Sequence, residues 1–398
     1  MSIRQNFYIV LISVCSIMNV MMSSDLYIPG LPAISDYFGV TSDFAQITLA
    51  TNLWGIAISG LLYGPLSDSF GRKKTLMLGF GLFVTFTIVC SFSTNIYMLI
   101  GARFLQGFGG GSAMVITLAM VKDVFTGNRC TEILARIMMI IAIAPMVAPI
   151  IGGYVIDQFN WQASFYLMAI FGMINLIGIY LFLPETNPTS EETKHSVSPA
   201  QISRNYKTLI QDKQFMSLAV IHGFLFIGKW SFFTVAPFIF IKVMGIQIHE
   251  FGYYMGSIVL GYAFFSLLTQ FTVKKIGTEK ILYWGIRLGF AGSILLLVFS
   301  KFTPDSANLI CLSVALYVGA IAMIAPSAAN LAMDVHLELK GAAASIVSMF
   351  RTMLASVGAV IGSFVEDTTF MSIAILMITL MILLGLLIAR VQPATKTA

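Results

Sequence analysis

Five ionisable side chains, Asp25, Arg103, Lys229, Arg287 and Arg351, fall inside long apolar runs of the sequence. A charge at such a place costs about 2.5–3.5 kcal/mol on insertion scales, so each needs a reason. Asp25 is the one acid, of 18, that lies well inside a run. A carboxyl there can carry a proton, because desolvation raises its pKa and a neighbouring Arg103 or a bound solute modulates it. The competing reading is a residue that ends its run at the interface, just before Pro29 and Pro32. Arg103 can equally be structural glue, hydrogen-bonded to carbonyls in the close packing that "QGFGGG" invites, with Gln106 three residues on along the same face. Lys229 and Arg351 have no acid of their own half of the chain at matching depth. If they face a cavity, such a positive pair suits a solute with negative charge, such as a carboxylate; otherwise both are structural. Trp230, Phe232, Phe233, Tyr253 and Tyr254 offer an aromatic wall, although most of the 32 Phe must pack or face lipid. Arg287 lies near the end of its run and is expected to snorkel.

The elements that must position these residues are membrane-spanning helices. The 398 residues are 58% hydrophobic and 10% charged, against about 25% charged in an ordinary soluble domain. The solvent for most of the chain must therefore be lipid. A span needs about 20 apolar residues. Twelve qualify, at 7–29, 44–66, 75–93, 97–121, 134–156, 162–183, 214–241, 250–272, 281–300, 306–330, 342–364 and 369–389. Asp25 then lies about 27 Å along the first span, at a depth similar to that of Arg103 in the fourth. The polar stretch 184–213 cannot span. The predicted organisation is an all-α membrane protein with a six-helix bundle over 1–183, a linker over 184–213 and a second six-helix bundle over 214–398. Four cysteines, Cys15, Cys90, Cys130 and Cys311, form no C-x-x-C pair and read as small hydrophobes. No cleavable signal peptide is expected, since the run after Arg4 is long enough to span and lacks an A-x-A site.

Orientation follows from the basic residues. With the N-terminus inside, the inner side collects Arg4, the cluster Arg72, Lys73 and Lys74, and Lys122, Arg129 and Arg136. It also collects Lys194, Arg204, Lys207 and Lys213 of the linker, then Lys274, Lys275, Lys280, Lys340, Arg390 and Lys396. That is seventeen of 23; only Lys242 and Lys301 fall outside. Both termini and the linker are expected in the cytoplasm. The net charge of +5 reflects this placement and does not point to nucleic acid. The halves echo each other: "SFGRKKTL" follows span two and "KKIGTEKIL" follows span eight, with Gly71 matching Gly277. Two parallel repeats joined by a linker are the architecture of one large transporter class.

The tight turn after span two reads "GPLSDSFGRKKTL". Gly64 and Gly71 permit a helical hairpin, and Arg72, Lys73 and Lys74 hold it inside. Asp68 is unexplained by the charge rule; it can pair with a nearby Arg or cap a helix of the other half. This turn resembles the signature loop of the major facilitator superfamily, G-x-L-x-D-x-x-G-R-[KR]-[KR]. "RFLQGFGGG" in span four is similar to that family's R-x-x-Q-G. "APMVAPIIGG", with Pro145, Pro149, Gly152 and Gly153, resembles the antiporter motif of span five, with Ala144 and Ala148 where broader antiporters carry Gly. "SDLYIPGLPAI" resembles the end of span one in the Bcr/CflA drug-efflux branch. The resemblance implies that the loop gates the cytoplasmic side, that Asp25 and Arg103 take part in proton coupling, and that the span-five motif packs the halves together.

No H-E-x-x-H, G-x-x-x-x-G-K-[ST] or G-x-S-x-G occurs, and the four histidines, His195, His222, His249 and His336, are not metal-spaced. The expectation is a transporter and not an enzyme, without cofactor or metal. It would be a multi-pass monomer of the bacterial inner membrane, with protons, a small organic solute and the lipid bilayer as partners. Proton-coupled efflux of drug-like compounds such as phenicols is the first reading. Transport of an anionic metabolite or carboxylate siderophore is the alternative, with Asp25, Gln106, Lys229, Trp230 and Arg351 as candidate solute contacts. A receptor or sensor is the third.

Overall fold

In lipid a backbone has no partner but itself, so each crossing segment must satisfy its own N–H and C=O groups. The computed structural model describes residues 3–141, 143–187, 199–365 and 368–390, and no strand occurs among them. Lys194, His195 and Lys396 lie outside the described residues. The helices are α1 (Ile3–Asp25), α2 (Leu31–Phe38), α3 (Ser42–Phe70), α4 (Arg72–Ser91), α5 (Ile96–Val124), α6 (Gly127–Ile141), α7 (Ala144–Gln158) and α8 (Trp161–Phe182). They continue with α9 (Pro199–Gln211), α10 (Lys213–Pro237), α11 (Ile248–Ile276), α12 (Thr278–Phe302), α13 (Ala307–Val335), α14 (Lys340–Ser363) and α15 (Met371–Arg390). Among the described residues twelve stretches are long and apolar enough to cross a membrane.

Proline explains the interruptions, because it removes a backbone donor and crowds the preceding turn. After α1 the chain makes a 3-10 turn, Ile28–Gly30, with Pro29 inside it, and α2 starts with Pro32 in its first turn. The fifth span is longer than its hydropathy suggested: α6 begins at Gly127, and α7 starts as a separate helix with Pro145 in its first turn. Pro237 ends α10, which continues as a π-helical turn over Phe238–Val243.

The chain divides into two units, one of Met1–Ser198 with Ile246–Tyr253, the other of Pro199–Gly245 with Tyr254–Ala398. In the first, α3 and α4 both pack along α5, and α8 packs on α4. A Cβ on Gly107 would overlap the carbonyl of Asn52, so "QGFGGG" brings the α3 and α5 backbones into contact, as small residues do in lipid. Phe80, Phe83, Ile116 and Met120 fill the core beside this seam. In the second unit α10 packs along α14 and α13, and α12 along α13. Gly71 and Gly277 each precede a helix with positive φ, 94° and 83°, so the two echoing turns share a backbone conformation that L side chains avoid.

Candidate functional site: a buried guanidinium network and the turn beside it

Arg103 stands on α5, whose start is fixed by Asn95 accepting from Met98 N at 2.9 Å. Its side chain is fully buried. Nη1 donates to Ser23 O at 3.1 Å and to Gln106 Oε1 at 2.5 Å, and Nε donates to Thr48 O at 3.4 Å. The guanidinium lies 4.4 Å from the Tyr27 ring centroid, where the ring quadrupole favours a cation. Around it the polar groups are linked. Gln106 Nε2 donates to Thr87 Oγ1 at 2.8 Å, Asn52 Nδ2 to Arg103 O at 3.1 Å, and Ser24 Oγ to Asn52 Oδ1 at 3.1 Å. Tyr27 and Thr48 share a short hydroxyl contact. One network thus ties the end of α1 to α3, α4 and α5. Such a network is costly to break, because each freed group stays buried without water.

Asp25 is the last residue of α1 and is buried, 7% exposed. It follows Ser23 and Ser24, both members of the network, so backbone and charge are placed together. The span-five motif reaches the same spot: a Cβ on Gly152 would overlap the Leu26 carbonyl. Gly152 therefore lets α7 close on the residue after Asp25. Gly153 sits against the other side of α7, where a Cβ would come within 2.7 Å of Ile248 O. There Tyr154 and Tyr253 share a hydroxyl contact of 2.6 Å, and His249 Nδ1 lies 3.1 Å from Asp157 Oδ2. Pro149 is buried inside α7, and Pro145 lies in its first turn.

The turn between α3 and α4 is tied in three directions. Arg72 contacts Asp68, donates from Nε to Asp123 Oδ2 at 2.8 Å and from Nη1 to Ser67 Oγ at 2.7 Å. Asp68 thus pairs with a nearby arginine, one of the two roles expected of it. The first N–H groups of α4 are capped by Glu185, from Arg72 N at 2.8 Å and Lys73 N at 3.2 Å, a favourable place for an anion. Lys73 Nζ donates to Tyr180 O at 2.9 Å. Gly71 is required by its φ of 94°; a Cβ there would also press the flexible tip of Glu185, lying 2.7 Å from Oε2. Gly64 is less constrained, with only Val115 near such a Cβ. Asp123 and Glu185 were missed in the sequence. Their signal was a lone acid at each of two helix ends, in "MVKDV" and "PET".

In the second unit Lys229 is half-buried with Nζ 5.4 Å and 5.1 Å from the Trp230 and Phe233 ring centroids. Arg351 is half-buried and 5.9 Å from the Phe226 ring. A Cβ on Gly223 would meet Arg351 Cα at 3.1 Å, so Arg351 is level with Gly223. Lys229 stands about 9 Å further along α10. The two cations thus leave their helices at staggered backbone levels. Of the expected aromatic wall, Trp230, Phe232 and Phe233 are buried, Phe232 lies 4.8 Å from Phe370 and Tyr254 packs on Phe240. Trp230 and Phe233, three residues apart, share a helix face beside Lys229. Arg287 is exposed over Trp284. Cys90 and Cys311 are buried as expected, whereas Cys15 is exposed.

At the start of α10, Asp212 accepts from Gln214 N at 2.8 Å and Phe215 N at 2.9 Å, with His336 Nε2 at 2.9 Å. Burial by itself would raise the Asp212 carboxyl, but these donors hold it below the usual carboxylate range.

The described residues hold no group of three or more His, Cys, Asp and Glu fit for a metal. The Arg103 network keeps a guanidinium inside helices apolar enough to cross a membrane. The chain belongs to the Major Facilitator Superfamily, whose family model matches residues 10–363; it is a transporter, not an enzyme. It is 28% identical to the bicyclomycin resistance protein homolog of Haemophilus influenzae, over 86% of this chain and 85% of that one. It is also 28% identical to the multidrug resistance protein MdtL of Escherichia coli O157:H7, over 57% of this chain and 56% of that one. The drug-efflux branch expected from "SDLYIPGLPAI" is thus represented among its relatives. The fold is shared with the E. coli xylose transporter XylE in a partially occluded inward-open conformation, with a TM-score of 0.77 at 15% identity, covering 99% of each chain.

Proposed function

We propose that the chain exports small organic compounds, phenicol-like antibiotics among them, in exchange for protons, by alternating access. The observation that carries the reading is Asp25: a buried carboxyl whose backbone is joined to the Arg103 network through Ser23 and Ser24. A group so placed can gain a proton from one side and lose it to the other only if solute or water reaches it in turn, which is the coupling an exchanger needs. Two relatives named for bicyclomycin and multidrug resistance support export of drug-like solutes. The charge bias supports both termini and the linker in the cytoplasm, and the proposed exporter is a monomer of the bacterial inner membrane. The ion-paired α3–α4 turn would then be the cytoplasmic gate, with Gly64, Asp68, Gly71, Arg72 and Lys73 as its parts. Everted vesicles with an imposed pH gradient test the proposal. Uptake of a cationic or neutral drug should collapse with the gradient, and Asp25→Asn should abolish it while the protein remains folded in the membrane. Full gradient-driven uptake by Asp25→Asn would remove the carboxyl from the mechanism.

A second reading is favoured by Lys229 and Arg351, two half-buried cations on α10 and α14. It makes the solute an anion, a carboxylate metabolite or siderophore. The same vesicles loaded with carboxylate solutes separate the two.

A further inference from the structure

Of the five ionisable side chains set in apolar runs, only Arg287 is exposed. It stands on α12, one face of which is a seam of small residues: Gly285, Gly289 and Gly292 are buried, close against Ile324, Met381 and Ser313 of α13 and α15. Opposite that seam Lys280, Tyr283, Trp284 and Arg287 recur at helical spacing, within about 100° of arc, and all four are exposed. α12 has 25 residues, about 37 Å against a hydrocarbon core of about 30 Å. Arg287 follows Thr278, the first of them, by about 14 Å, so its backbone lies about 10 Å inside the hydrocarbon. Side chains lean toward the N-terminus of their helix. Arg287 therefore leans back to the near interface, and its guanidinium lies 5.8 Å from the Trp284 ring centroid, one turn earlier. Among the described residues no carboxylate pairs with Arg287 or Lys280. The neighbouring acid, Glu279, is exposed and points about 100° away from Lys280.

An exposed cation at that depth is expensive without a counter-charge. Water supplies none in hydrocarbon, and a zwitterionic headgroup brings its phosphate together with an ammonium of its own. A phospholipid of net negative charge brings a phosphate that nothing else neutralises. Arg287 suits such a phosphodiester, offering parallel N–H donors. Lys280 adds a second positive charge two turns nearer the interface, and Tyr283 and Trp284 suit the level at which headgroup meets chain.

We propose that this face of α12 binds the phosphate headgroup of an anionic phospholipid, held by Arg287 and Lys280 over Tyr283 and Trp284. With the start of α12 inside, as the charge bias expects, the lipid belongs to the cytoplasmic leaflet. The site is separate from Asp25 and the Arg103 network, and its test reads binding without flux. It can therefore fail while the export reading stands, or the reverse.

Trp284 reports on the site directly. Purified full-length protein is placed in phosphatidylcholine nanodiscs that contain a minor fraction of acyl-brominated phosphatidylglycerol or, separately, acyl-brominated phosphatidylethanolamine. Bromine quenches nearby tryptophan emission, and subtracting the emission of Trp284→Phe isolates Trp284. Trp54, exposed on α3, is isolated likewise through Trp54→Phe and serves as the control. Phosphatidylglycerol should half-quench Trp284 at a roughly five- to thirtyfold lower fraction than phosphatidylethanolamine, for one or two cations engaged. Trp54 should respond to the two lipids equally. Arg287→Gln should erase the preference, Lys280→Gln should reduce it, and Arg287→Lys should keep part of it. Added salt should weaken it. Equal quenching of Trp284 by both lipids, the same preference at Trp54, or a preference unchanged in Arg287→Gln or in Lys280→Gln would each overturn the assignment. So would a preference lost in phosphate buffer but kept in chloride of equal ionic strength, which would make the occupant a soluble anion.

Discussion

Arg72 is held by two carboxylates that burial makes unequal, and that inequality can be measured. The Asp123 side chain is 17% exposed and the Asp68 side chain 64%, against 10% for Arg72. An exposed pair is worth 0–1 kcal/mol after solvent screening, whereas breaking a fully buried pair costs about 3–5 kcal/mol. Asp123 sits between these limits, so Asp123→Asn should cost about 2 kcal/mol. Asp68→Asn should cost about 0.5 kcal/mol. For a domain of about 150–250 residues each kcal/mol moves Tm by about 2–4 °C. Scanning fluorimetry in one detergent should therefore show Tm lower by about 4–8 °C for Asp123→Asn and by about 1–2 °C for Asp68→Asn. Raising the salt should shrink the Asp68 effect more, because exposed charges are screened more. Turnover in everted vesicles should rank the two the other way for their stability cost: Asp68→Asn, or Gly71→Leu at the same turn, should slow flux without weakening solute binding. If Asp68→Asn lowers Tm as much as Asp123→Asn, burial does not govern this site and the reasoning fails. Unchanged flux with lost affinity in Asp68→Asn would refute the gate.

Gly152→Leu should push α7 off the Leu26 carbonyl and displace Asp25, lowering gradient-driven transport at least tenfold while far-UV circular dichroism stays helical; wild-type flux would contradict the packing. Lys229→Gln and Arg351→Gln should each raise KM for a carboxylate solute roughly tenfold and leave cationic solutes alone, because a charge-assisted contact is lost. Since the cations are staggered, the double variant should be near-additive, and flux of the two solute classes reads this directly. Equal loss for every solute would count against an anion site. Asp212→Asn should lower Tm at pH 7. The folded carboxyl is held below its ordinary range, so its contribution is complete above the unfolded pKa and disappears as pH falls through the folded value. Melts from pH 7 to pH 3 should therefore show parent and variant converging only at the acid end.

What the sequence by itself determined is whatever a lipid solvent imposes locally. Twelve runs must be helical because no other structure with free edges survives in hydrocarbon. A break within "GPLSDSFGRKKTL" had to separate two of them, and it falls at Gly71; the bias of Lys and Arg among the connections set the expected orientation. The few intramembrane charges stood out because each is expensive where it is. The direction in which any of these side chains points was decided only by the tertiary structure. In water a helix shows its buried face as an apolar stripe, but in lipid the buried and exposed faces are both apolar, so the stripe that would orient a helix is missing. Cys15 could therefore be taken for a buried residue when it is exposed. Contacts between helices depend on register, which hydropathy does not carry. Arg103 against Ser23 and Thr48, Gly152 against Leu26, Glu185 over the first turn of α4, and the stagger of Lys229 and Arg351 all depend on which segments the packing brings together.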